Sequence, residues 1–163
     1  MALPEEQYMK VLSRLQASCV KREYCSRDIL AKAESAFAKS DISKQECSEL
    51  AQRALKELVE DKFVSDLRYA SAFAREKTSL TGWGGIKISY VLKTKGIDAC
   101  TIKEALAEVD DDSARERLER LLASKWKSLR EDPQGRLKLI KFALSRGYSY
   151  DEVEPLASKI SKN

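Results

Sequence analysis

The chain repeats itself at an interval of 51 residues, and this repeat restricts what it can fold into more than any other feature. Shifting Gly84-x-Ile86-Lys87-Ile88 by 51 positions lands on Gly135-x-Leu137-Lys138-Leu139. The same shift takes Lys95-Gly96 to Arg146-Gly147, Asp98 to Ser149, Ile102 to Val153 and Val91 to Phe142. An interval of this size is that of supersecondary units too small to bury an apolar face alone, which stack on their neighbours to make a core. Inside each copy the apolar residues recur at about 3.6-residue spacing, which places them on one helix face. With only 6 glycines, 3 prolines and 7% aromatic residues, and with Ala, Leu, Lys and Glu abundant, the chain favours helix over strand. The predicted class is all-α.

The first third reads as a looser copy of the same plan. Pro4 with Glu5 and Glu6 opens a helix whose stripe is Tyr8, Val11, Leu12, Leu15 and Cys19. A second helix opens near Cys25-Ser26 and turns Ile29, Ala33 and Phe37 inward, and a third buries Cys47, Leu50, Ala54, Leu55 and Leu58. Three tandem three-helix units follow, at 1–60, 61–110 and 111–163, about nine helices in an elongated array that can curve.

Helix ends are written in cap chemistry. Ser43-x-x-Glu46, Ser113-x-x-Glu116 and Ser149-x-x-Glu152 read as capping boxes, and Asp98 as an N-cap. Asp132-Pro133 reads as N-cap and first helical residue. Gly96 and Gly147, each after a basic last turn, are predicted helix stops with positive φ. The acidic run Asp110 to Asp112 reads as a solvated helix start, because a calcium loop needs further oxygen ligands and a glycine at set spacing.

Histidine is absent, which removes the usual general base and the commonest zinc ligand. No local group of Asp, Glu, Lys or Cys replaces it, and the prediction is a non-enzyme without metal or cofactor. Cysteines 19, 25, 47 and 100 form no CxxC pair and follow no secretory signal, so they read as small core residues of a cytoplasmic protein. No apolar run nears the roughly 18 residues of a membrane span, so no membrane association is expected.

The central stretch carries an ordered set of residues: Asp66-x-Arg68-Tyr69-Ala70-x-x-Phe73, Arg75-x-Lys77, Gly82-Trp83-Gly84, then Lys87-Ile88-x-x-x-Leu92-x-x-Lys95-Gly96-Ile97. This set resembles the central motif of the RecX family, small regulators of the RecA recombinase. It departs from the family pattern at Gly85, where proline is usual, and at Lys77, where arginine is usual. Tyr24, Asp28, Ile29 and Lys32 resemble the family's first motif, with Cys25 where a serine cap is usual. The resemblance implies a three-unit helical body that binds RecA, within the groove of a RecA-DNA filament, and lowers its recombinase, ATPase and coprotease output in DNA repair. It implies Asp66, Arg68, Tyr69, Phe73, Gly82, Gly84, Ile88, Leu92 and Gly96 as motif positions.

Positive charge is unevenly placed although the formal net charge is only +4. Arg75, Lys77, Lys87, Lys93 and Lys95 in the central unit, with Arg136, Lys138 and Arg146 in the last, are the candidate partner-binding residues, suited to phosphates or to an acidic protein surface. The alternative function is a helical nucleic-acid-binding module acting without RecA, in helix-turn-helix fashion. The chain is expected to be a monomer with at most weak direct DNA binding. The Gly82-Trp83-Gly84-Gly85 run lacks the Gly-Lys-Ser/Thr ending of a P-loop and reads as a bend. Trp83 is either an anchor between two helices or an exposed aromatic, and Tyr148 and Tyr150 read as core rings with solvent-facing hydroxyls.

Overall fold

The structure, a computed structural model, describes residues 2–109 and 111–162. In chain order the helices are α1 (Glu5–Lys21), α2 (Ser26–Phe37), α3 (Lys44–Glu60), α4 (Asp66–Glu76), α5 (Gly85–Thr94), α6 (Ala99–Ala107), α7 (Asp111–Leu129), α8 (Gly135–Ser145) and α9 (Tyr150–Ser161). A π-helical turn, Lys77–Thr81, extends α4. The described residues hold these nine α-helices and no strand, so the fold is all-α as predicted. None of the described helices is long and apolar enough to cross a membrane.

The chain divides into two bodies. The first runs to Ala70 and also holds Lys95–Ile97; the second holds Ser71–Thr94 and the chain from Asp98 onward. In the first, the 3.6-residue stripes of α1, α2 and α3 meet: Tyr8, Val11, Leu12 and Leu15, then Ile29, Ala33 and Phe37, then Cys47, Ala51, Ala54 and Leu58. Tyr8 stacks on Phe37 with ring centroids 5.8 Å apart. Burying each large side chain of this set stabilises by about 1.5–3 kcal/mol. Only half of the predicted box at Ser43 forms. Ser43 accepts the Glu46 amide at 3.1 Å, while the Glu46 carboxylate accepts the Leu3 amide and ties down the chain ahead of α1.

In the second body, Leu118 and Leu122 of α7, Leu139, Ile140 and Ala143 of α8, and Val153, Leu156 and Ala157 of α9 form a core that also takes in Tyr148. Here the 51-residue repeat is visible in the backbone, since α5 and α6 shifted by 51 fall on α8 and α9. Gly96 and Gly147 end α5 and α8 at φ +80° and +97°, values that glycine adopts without the Cβ clash of other residues. Asp98 accepts the Thr101 amide at 2.8 Å and Ser149 the Glu152 amide at 3.2 Å. At Ser149 the box is complete, because Glu152 accepts the Ser149 amide. The amide of Thr101 also holds the Asp98 carboxyl below its ordinary range.

Several local expectations need correction. Asp132 accepts the amide of Gln134 at 2.8 Å and so makes an Asx turn, after which α8 starts at Gly135 rather than at Pro133. Ser113 lies inside α7, not at its cap, and Asp110 lies outside the described residues. Cys100 is exposed on α6, Cys19 is half-buried, and only Cys25 and Cys47 are core residues. The helical spacing also predicts Phe73 and Leu92 as core residues; Leu92 is fully buried, but Phe73 is only half-buried.

Candidate interaction surface

The glycine run after α4 is more structured than a bend. The hydroxyls of Ser79 and Thr81 donate to the carbonyls of Arg75 and Lys77 at 2.7 and 2.6 Å, and the amides of both Gly82 and Trp83 reach back to Lys77. These competing bonds widen the last turn into a π-helix, which Gly82 closes at φ +69°. Gly85 is then the first residue of α5, the position to which proline is also suited.

The turn sets Trp83 edge-on to Phe73, with centroids 6.3 Å apart. The ammonium of Lys77 stands 4.8 Å from the Trp83 ring centre and 5.5 Å from that of Phe73, and the ammonium of Lys87 stands 4.4 Å from Trp83. The indole holds two lysines in place by cation–π attraction of about 0.5–1 kcal/mol each. Trp83 is half-buried and anchors the π turn to α5, the first of its two predicted roles.

Arg146 joins the cluster through a close backbone crossing. The amide of Gly84 donates to the Arg146 carbonyl at 2.8 Å and that of Ile86 to the Gly147 carbonyl at 2.9 Å. A Cβ on Gly84 would lie 2.4 Å from the Gly147 oxygen, and one on Gly147 2.3 Å from Cβ of Lys87, so both positions need glycine. Across this joint the Arg146 guanidinium donates to the Thr81 carbonyl and lies 5.1 Å from the Phe142 ring, where Lys125 also stands at 5.1 Å. Tyr148 is buried beneath, and its hydroxyl donates to the Gly82 carbonyl at 2.9 Å rather than facing solvent. Burial pushes its pKa up. Tyr150, also predicted as a core ring, is exposed instead.

The structure therefore sorts the eight candidate cations. Arg75 faces Glu108 at 3.7 Å, Lys95 faces Asp28 at 2.9 Å, Arg136 faces Glu154 at 3.0 Å, and Lys138 is bound to Asp132. Lys77, Lys87 and Arg146, with Lys125, make no ion pair among the described residues and lie on aromatic rings as one basic-aromatic ridge. Lys93 is exposed on α5. Lys125 is not among the eight candidates, and nothing in its local sequence distinguishes it from Lys127.

The charged motif positions do a different job, within the first body. Asp66 accepts the Ser26 amide at 2.7 Å and so caps α2, which Cys25 does not. Arg68 grips Glu23 through two nitrogens at 2.7 and 3.0 Å and donates to the carbonyls of Lys62 and Phe63. Burial works against the charge on Asp28, but hydrogen bonds from Lys95 and Cys25 outweigh it and hold the carboxyl low; the same bond raises Lys95. The Arg27 guanidinium lies against Gly96, and burial raises Tyr69.

Comparison with known proteins gives one family. The second three-helix domain of RecX matches residues 65–106 and the third three-helix domain of RecX matches residues 111–155. A regulatory protein RecX from Pseudomonas entomophila is 32% identical over 111 residues, covering 68% of this chain and 70% of the relative. One from Clostridium botulinum is 34% identical over 66% of this chain and 51% of its own length, and one from Clostridium tetani is 28% identical over 73% and 56%. The chain thus spans about half the length of these clostridial relatives. The crystal structure of RecX from Lactobacillus salivarius superposes with a TM-score of 0.79 at 18% identity, over 98% of this chain and 100% of that one. A second crystal structure of a regulatory protein RecX gives 0.78 at 21%, over 97% and 79%. Both share the fold.

Proposed function

This chain belongs to the RecX family, and from that premise we propose that it is a cytoplasmic, non-enzymatic regulator of the RecA recombinase that binds the RecA-DNA filament and limits recombination, ATPase and coprotease activity. Three units, at 1–60, 61–110 and 111–163, are the organisation in which it would do so. The observation that supports this reading is the ridge of Lys77, Lys87, Lys125 and Arg146. Their charges are held on Trp83 and Phe142 and left unmatched by carboxylates among the described residues. Cations fixed in this way lose little freedom on meeting phosphates or an acidic protein surface, and they speed encounter with an anionic polymer. Arg75, Lys95, Arg136 and Lys138 already face a carboxylate and are secondary candidates.

The test is reversal of Lys77, Lys87 and Arg146 to glutamate together, with Lys44 and Lys56, exposed in the first body, reversed as a control. The ridge variant is expected to keep its helical content and to lose inhibition of RecA-driven strand exchange, while the control retains it. Equal loss from both sets would reject the ridge as the site. The same cations suit bare nucleic acid, the second reading. Binding to DNA without RecA, with log affinity falling linearly against log salt, would favour that reading instead.

A further inference from the structure

The chain between α4 and α5 is held at both ends. On one side Ser71, Ala74 and Thr78, at i, i+3 and i+7, are buried along one face of α4 and its π turn. On the other, the amide of Gly84 is bonded to the Arg146 carbonyl, and the backbone of Gly147 leaves no room for a Cβ there. Only residues 79–83 lie between, so the turn they adopt decides where Trp83 sits. In that interval one carbonyl takes three donors: Lys77 accepts the amides of Gly82 and Trp83 and the Thr81 hydroxyl, the last at 2.6 Å. Ser79 bonds the Arg75 carbonyl in the same way at 2.7 Å. Each hydroxyl occupies the acceptor that a regular α-helix assigns to the amide of its own residue, four positions back.

We propose that Thr81, supported by Ser79, is a positioning residue for the ridge: its hydroxyl holds the chain in the π register that brings Trp83 within 4.8 and 4.4 Å of the ammoniums of Lys77 and Lys87. Without the two donors the turn reverts to α, which takes up one residue fewer, and the surplus passes to Gly82 and Trp83. One residue of helix is a rotation of about 100°. Because Gly84 is fixed, that rotation falls on Trp83, and the ring leaves its lysines. The fold loses nothing by it, since Ser79 and Thr81 are exposed and hydroxyls bonded back along a helix weaken it slightly. What is lost is order in the ridge. The inference rests on the reading above in taking the ridge as the contact surface, and it adds the groups that assemble that surface.

The test compares Thr81→Val with Ser79→Ala, which removes both donors, against Thr81→Ser, which keeps one at the same place. The chain has two tryptophans, so Trp126→Phe in the full chain leaves Trp83 as the sole indole, and its quenching by caesium is compared with that by iodide. Ammoniums on the ring repel caesium and draw iodide, so the parent is expected to favour iodide. In the donor-free variant that preference should be largely lost at a melting temperature no lower than the parent's. Its affinity for RecA filaments on single-stranded DNA should fall about fivefold, the cost of ordering two released lysines again on binding. Thr81→Ser should match the parent in all three. Parental quenching in the donor-free variant overturns the inference and leaves the ridge reading to its own charge reversal. Altered quenching with parental affinity overturns it too, because order in the ridge would then be of no consequence to the partner. A melting temperature that falls together with the affinity assigns the hydroxyls to structure alone, with the same result. If reversal of the ridge charges leaves binding intact, the reading above falls first and the positioning role with it.

Discussion

The clasp around Asp66, Arg68 and Lys95 in the first body and the ridge in the second use the same residue types in opposite ways, although Arg22 and Arg53 of the first body also lie on tyrosine rings and Arg75, Arg136 and Lys138 of the second face carboxylates. In the first, Arg68 and Lys95 face carboxylates at 2.7 and 2.9 Å, and Asp66 caps α2, so that charge is consumed in holding α2, α4 and the turn at Gly96 together. In the second, Lys77, Lys87, Lys125 and Arg146 face aromatic rings. A carboxylate neutralises a cation, whereas a ring orients it and leaves its charge on show. A family motif can therefore be charged throughout and still be mostly architecture; the difference between a clasp and a binding surface lies in what stands opposite each cation.

The largest expected effect compares the glycines of the two regions. Gly96 and Gly147 are equivalent in the repeat and both have positive φ, so alanine at either meets the left-handed penalty of about 1–2 kcal/mol. At Gly96 the added Cβ would meet the tip of Arg27, which can swing away. At Gly147 it would meet Cβ and the amide nitrogen of Lys87 at 2.3 and 2.6 Å, which cannot. Gly147→Ala is expected to lose about 2–4 kcal/mol, Gly96→Ala about half of that. Thermal melts of the two variants decide it, and equal losses would mean that the joint under the ridge is not the rigid element described.

Next in size is a double dissociation between the regions. Asp66→Ala removes the cap of α2 and is expected to cost about 1 kcal/mol while leaving filament affinity unchanged once folded. Lys87→Gln gives up one cation–π contact and should cost no more than about 0.5–1 kcal/mol, yet weaken binding several-fold. Denaturant titration and binding on the same preparations check both. A binding defect in Asp66→Ala at full helicity would erase the distinction between clasp and ridge.

What could be read in advance follows from the range of the interactions. The self-match placed Gly96, Gly147, Asp98 and Ser149 at helix ends because cap and stop chemistry is local, with partners two to five residues away. The stripes of α1 to α3 were legible for the same reason. The π turn at Lys77–Thr81 was not, since it depends on hydroxyls of Ser79 and Thr81 outcompeting a regular turn, and Ser or Thr late in a helix does not usually do so. Asp132 was read as a cap when its amide partner lies one residue short of the helix. The eight candidate cations could not be sorted from sequence at all, because the partner of Lys95 is 67 residues away at Asp28, and Arg146 reaches Thr81 across 65.

The smallest effect tests whether Lys95 belongs to the clasp. Its carboxylate partner Asp28 is held below the ordinary range near 3.9, so in the folded state it releases its proton more readily than in the unfolded chain. The unfolded state then binds more protons in acid. The stabilisation is complete above the unfolded value and fades as pH falls through the folded one, roughly from pH 5 downward. Lys95 is raised, so its contribution persists through neutral pH and fades only in strong alkali, above its ordinary value near 10.4. Both side chains are about a third exposed, so solvent screens the pair and its worth is at most about 1 kcal/mol. Lys95→Gln is expected to lower stability slightly at pH 7, and its curve should approach that of the native chain between pH 5 and 3, where Asp28 takes up its proton. Parallel curves across that interval would detach Lys95 from the clasp and return it to the cations available for a partner.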